Sequence, residues 1–116
     1  MQIQGLDLLA KEKLEFVLQN RLKEFGYFHI KTANTMQNVA TVEMELGNYG
    51  KSLQYNLQVL EVRKKTFGDD HLKVANSHTS IAQLHDLMGN YAQAADSLDQ
   101  AMKIYSLDVA TNKSKI

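Results

Sequence analysis

HIKTANTMQNVATVEMELGNYGKSLQYNLQVLEVRKKTFGDD, residues 29–70, decides how the chain is read, because a shift of 42 residues lays it on HLKVANSHTSIAQLHDLMGNYAQAADSLDQAMKIY, residues 71–105. The shift pairs His29 with His71, Lys31 with Lys73, Ala33 and Asn34 with Ala75 and Asn76, and Ala40 with Ala82. It also pairs Gly47, Asn48 and Tyr49 with Gly89, Asn90 and Tyr91, and Gln58 with Gln100. A fixed period of this length marks a stack of repeated units. Carried backwards, it pairs Gly5 with Gly47, Arg21 with Arg63, and Phe25 and Gly26 with Phe67 and Gly68. Residues 5–28 therefore read as a half repeat, 29–70 and 71–106 as repeats, and 1–106 together as one helical repeat domain. In the tail, 107–116, LDVATN has the look of LKVANS at 72, but the polar NKSKI breaks the pattern, and the expectation is a frayed helical extension or disorder.

The punctuation predicts an all-α chain. Proline is absent, and four of six glycines, Gly26, Gly47, Gly68 and Gly89, stand 21 residues apart. Glycine suits the left-handed position just beyond a helix end, so this spacing predicts helices of about 16 to 18 residues joined by short turns. Apolar residues at three- and four-residue steps fill the intervals. Helix 1, from Gly5 to Phe25, is expected to turn Leu6, Ala10, Leu14, Val17, Leu18 and Phe25 inward. Helix 2, 30–46, would bury Ile30, Ala33, Met36, Val39, Ala40 and Leu46, and helix 3, from Tyr49 to about Thr66, Tyr49, Leu53, Leu57, Leu60 and Val62. Helix 4, 72–88, would bury Leu72, Ala75, Ile81, Ala82 and Met88. Helix 5, from 91 to about 106, would bury Tyr91, Ala94, Ala95, Leu98, Ala101, Met102 and Tyr105. Asn48 and Asp70 are placed to cap helices 3 and 4.

Composition narrows the function. Thirteen basic residues balance thirteen acidic ones, which provides no field for nucleic acid or an anionic membrane. No segment approaches the roughly 20 apolar residues of a membrane span, the first ten residues lack the form of a secretory signal, and there is no cysteine for a disulfide or zinc site. The expected setting is cytoplasmic. His78 and His85, seven apart on helix 4, are too few ligands for zinc, and His78 reads as a packed imidazole. His29 and His71, at one point of successive repeats, read as capping or linker residues. The Arg63, Lys64, Lys65 run falls in a last helical turn, where cations meet the negative end of the helix dipole. No hydroxyl has a base and orienter, and no glycine-rich phosphate loop follows a strand, so neither an enzyme nor a cofactor is expected.

Antiparallel helix pairs with small crossing residues and a Gly-x-Tyr turn resemble tetratricopeptide repeats. GNYGKSLQYNLQVLEVRKKTFGDDH, residues 47–71, resembles the kinesin light chain type. The resemblance spans 5–106 and rests on Ala40 and Ala82, on Ser52, Val59, Ala94 and Ala101, on Tyr49 and Tyr91, and on the helix end from Glu61 to His71. Ile30 and Leu72 replace the usual proline, and Glu43 and His85 a usual aromatic. Asn56 stands where repeats of this type prefer a large apolar residue, leaving a local departure or an inter-repeat hydrogen bond. The resemblance implies a right-handed α-solenoid of about five helices that acts as a scaffold, holding a peptide or partner domain in a concave groove lined by the first helices. Carried over by position, the groove residues are Asn34, Gln37, Asn38, Thr41 and Glu45 on helix 2, with Asn76, Thr79, Ser80, Gln83 and Asp86 on helix 4. These share one stripe of each helix, and amide side chains offer both donors and acceptors to a peptide backbone. A merely solvated face is the plain alternative. The basic clamp with which some members hold a terminal carboxylate is missing, and Glu45 and Asp86 suit a neutral or basic peptide. Two further readings stay open: a homo-oligomer formed through exposed helix 1 or helix 5, and a segment of a longer repeat array.

Overall fold

The computed structural model describes residues 2–115, with the side chains of 8–110. Five α-helices follow one another: α1 Gln2–Phe25, α2 Ile30–Glu45, α3 Tyr49–Phe67, α4 Leu72–Leu87 and α5 Tyr91–Lys115. No strand occurs among the described residues. The backbone divides into two compact units, Met1–Val62 and Arg63–Ile116.

Each turn is built from the residues that announced it. At the end of α2, Gly47 adopts φ +85°, Asn48 N donates to Glu43 O at 2.8 Å and Gly47 N to Met44 O at 3.0 Å. This is a Schellman ending, which satisfies two carbonyls that the helix leaves open. The end of α4 repeats it with Gly89 at φ +82°, Asn90 N on His85 O and Gly89 N on Asp86 O.

In the first unit α1, α2 and α3 enclose Leu18, Ala33, Met36, Val39, Val59 and Val62, with Leu14, Leu22, Ile30 and Tyr55 against them. Ala40 is fully buried, and Ser52 Oγ donates to its carbonyl at 2.6 Å, tying α3 to α2 where small side chains permit close approach. In the second unit α5 turns Ala94, Ser97, Ala101 and Ile104 inward, while α4 buries Val74, Ala75, Ser77, His78, Ile81, Ala82 and Leu84.

Several expectations need correction. α1 begins at Gln2, so Gly5 lies inside it, and the side chain of Leu6 falls outside the described residues. Leu57, Leu72, Tyr91, Ala95, Leu98, Met102 and Tyr105 are exposed rather than inward. In the two second helices the buried stripe runs through Ser52, Val59 and Val62 and, 42 residues on, Ala94, Ala101 and Ile104. The expected stripe was read one residue too far round, because small residues let the helices approach and turn the large side chains aside. α5 also continues without interruption to Lys115. Its sequence explains this: the 21-residue glycine series would next fall at 110, where Ala110 provides a helix-favouring residue instead of a stop.

The helix starts differ as well. His71, not Asp70, caps α4, its Nδ1 accepting from Lys73 N at 3.0 Å. His29 does the same for α2 through Lys31 N, also at 3.0 Å. Each imidazole is held by stacking, His29 on Phe25 at 4.6 Å and His71 on Phe67 at 4.5 Å between centroids. Lys31 and Lys73 lie over the same two phenylalanine rings. Asn48 precedes α3, but its Nδ2 donates to Glu43 Oε1 at 2.9 Å.

Candidate partner-binding stripes

On α2, Asn34, Asn38, Thr41 and Glu45 are exposed at steps of four, three and four residues, which keeps them in one row along the helix. Gln37 is half-buried beside them, and its Oε1 is buried with no hydrogen-bond partner among the described residues. Thr41 Oγ1 donates to Gln37 O at 3.0 Å, so that hydroxyl offers a partner its lone pairs rather than its proton.

On α4, Asn76, Thr79, Gln83 and Asp86 form a second exposed row, with Ser80 half-buried. Here the structure adds a residue that the sequence reading had placed in the core. Tyr105 of α5 donates its hydroxyl to Asn76 Oδ1 at 2.8 Å and stands 3.4 Å from Thr79 Oγ1, which also reaches Ala75 O at 3.1 Å. The available signal was that Tyr105 lies at a helical spacing from Ala101 and Met102 yet carries a hydroxyl that needs a partner. Attention to the first helices alone passes over it. The ten predicted residues thus fall into two rows, one on each unit, and none of them is fully buried.

The charged and titratable groups outside these rows have structural explanations. Glu43 is fully buried, with Lys11 Nζ 3.4 Å from Oε1, Lys51 Nζ 3.3 Å from Oε2, and the Asn48 amide on Oε1. Burial pushes its pKa up, but the Asn48 hydrogen bond and the two lysines outweigh that and hold it below the ordinary carboxylate value. The same pairing raises Lys51. An enclosed carboxylate held in its ionised form at neutral pH is a poor proton carrier and a good tie between α1, α2 and α3.

His78 is buried, and burial followed by the charge of Lys64 pushes its pKa down, as befits a packed imidazole. Arg63 is half-buried, donating from Nη1 to Lys73 O at 3.1 Å and Ser77 Oγ at 2.8 Å, so this part of the basic run fastens the end of α3 to α4. Burial lowers its pKa. Asn56 is buried, and its Nδ2 donates to Ser52 O at 3.0 Å, a bond within α3 rather than between repeats. Among the described residues no group of three or more His, Cys, Asp or Glu side chains could hold a metal ion, and no helix is long and apolar enough to cross a membrane.

Helix hairpins that repeat at 42 residues, close on Gly-Asn-Tyr turns and cross at alanine and serine define a helical-repeat protein of the interaction-module class. The Tetratricopeptide repeat family profile matches residues 31–106, more than half of the chain, and the chain belongs to that family. Tetratricopeptide repeats mediate protein–protein interaction, and the family is typically non-enzymatic. Among curated proteins none is significantly similar to the chain.

Proposed function

We propose that the chain recognises an extended segment of a protein partner through the polar rows of α2 and α4. The observation that carries this reading is an exposed polar row on the first helix of each repeat, Asn34, Asn38, Thr41 and Glu45 on α2 and Asn76, Thr79, Gln83 and Asp86 on α4, with Asn34 and Thr41 answered by Asn76 and Gln83 at the 42-residue shift. Amides and hydroxyls spaced along a helix offer donors and acceptors at intervals that suit a peptide backbone, and each row carries one carboxylate. The preferred segment is neutral or basic, with only a small contribution from Glu45 and Asp86 because exposed charges are worth little. Acidic tails are disfavoured, since neither row carries a cation.

The test is selection of peptides by display on the intact chain, followed by titration against the Asn38→Ala, Gln83→Ala double variant. Both residues are exposed, so the variant keeps its helical circular dichroism, and the reading requires binding to fall at least tenfold. Undiminished affinity would remove the rows from recognition.

A further inference from the structure

We infer that α5 is a dimerisation helix, with a second copy of this chain packed antiparallel against its outer face. Tyr91, Ala95, Leu98, Met102, Tyr105 and Val109 lie at alternating steps of four and three residues, the seam of a two-stranded coiled coil. This row lies beside the buried one that packs on α4, and Tyr105 is its one member whose hydroxyl reaches α4, at Asn76; the side chains are left open, Tyr91 at 68% exposure, Leu98 45%, Met102 64%, Tyr105 36% and Val109 56%. At the matching positions of α3, 42 residues earlier, Asn56 is buried and Tyr49, Leu53, Leu60 and Arg63 are half-buried. The position is therefore one that this chain covers in its other repeat.

The order of side chains selects the occupant. In an antiparallel pair Tyr91 faces Val109, Ala95 faces Tyr105 and Leu98 faces Met102, each layer joining a larger side chain to a smaller one or two of similar size. A parallel pair would set tyrosine on tyrosine twice and alanine on alanine, overfilling two layers and leaving a gap in a third. Like any two-fold pair, this one is isologous and closes on itself at two copies. Five large side chains at these exposures offer on the order of 100 Å² each, so two copies remove about 1,000 Å² from water, the floor for a specific interface. No charge lies in the row. Beside it, Asp99 approaches its counterpart across the two-fold axis, and each carries Lys103 of its own helix at 3.6 Å, so the four groups cancel.

Sedimentation velocity on the whole chain over a concentration series tests the pairing. The expected result is a mass that doubles with concentration, and a Leu98→Glu, Met102→Glu variant that stays monomeric while its circular dichroism is unchanged. A chain that is monomeric throughout overturns the inference and leaves the face to another segment or partner. A dimer that survives the two glutamates overturns it as well. Because the chain has no cysteine, orientation can be read directly. An equal mixture of the Tyr91→Cys and Val109→Cys variants should cross-link to each other on oxidation. Tyr91→Cys alone should not, since 18 residues of helix separate its two thiols by about 27 Å. Efficient cross-linking of Tyr91→Cys to itself would refute the antiparallel register.

Discussion

Replacing Lys11 and Lys51 together by Met should cost more than replacing the carboxylate between them, although both changes break the same pairs. Glu43 is wholly buried, whereas the lysine side chains are 23% and 47% exposed. In Glu43→Gln the volume and the acceptor for Asn48 remain, and the freed lysines turn to water. The loss is that of two partly screened ion pairs, about 1–2 kcal/mol. In the double Met variant the buried carboxylate keeps only the Asn48 bond, and an uncompensated buried charge costs about 3–5 kcal/mol. The two variants also differ with pH. The folded-state pKa of Glu43 lies below its ordinary 4.5, so its contribution in the native protein is full above that value and is lost as pH falls through the lowered one. Without the lysines burial dominates, the pKa rises, and protonation relieves the double variant as the medium is acidified. Urea denaturation of the three proteins at pH 7 and pH 4, followed by circular dichroism, should show the gap between native and double variant narrowing at the lower pH. Adding Glu43→Gln to the double Met variant should recover most of the loss. A gap independent of pH, or a Glu43→Gln cost larger than that of the two lysines, would show the carboxylate to be solvated and the reasoning wrong.

Other outcomes follow from the same contacts. His71→Ala should cost about 1 kcal/mol in urea denaturation by removing the acceptor for Lys73 N, and His71→Asn should recover much of that, unless stacking on Phe67 rather than capping is what matters. Gly89→Ala should cost about 1–2 kcal/mol, read as a lowered denaturation midpoint, because φ +82° strains an L side chain although no atom obstructs the Cβ. Asn56→Leu should stabilise by about 1 kcal/mol by replacing a buried Oδ1 that has no partner; a loss of stability would indicate that Leu cannot be fitted there. The depressed pKa of His78 means the folded state resists its protonation. Stability therefore falls as pH drops below the ordinary 6.5 of an unfolded histidine, and His78→Leu should flatten that part of the pH profile.

Glycine spacing and the 42-residue period made the five helices and their turns legible, because helix ends are local and the residues that close them are few. What could not be read was long-range or depended on which side of a helix faces its neighbour. Glu43 looked like a misplaced aromatic position, since its partners Lys11 and Lys51 belong to two other helices. Asp70 is the better capping residue by propensity, yet the imidazole at 71 holds the cap of α4, as the one at 29 does for α2, each ring stacked on a phenylalanine four residues earlier. The outer row of α5 was assigned to the core because apolar periodicity reports an oily face without saying whether anything covers it. The polar rows of α2 and α4 were placed by the resemblance, and the structure leaves all but Gln37 and Ser80 of them exposed, while the Tyr105 bond to Asn76 needed the packing of α5 on α4.

The central claim, recognition through these two rows, is most directly tested by recording backbone amide NMR shifts of the intact chain during titration with a display-selected peptide. The account predicts perturbations centred on residues 34, 38, 41 and 45 of α2 and 76, 79, 83 and 86 of α4. Shifts concentrated on α1, α3 or α5, with both rows silent at saturation, would contradict it.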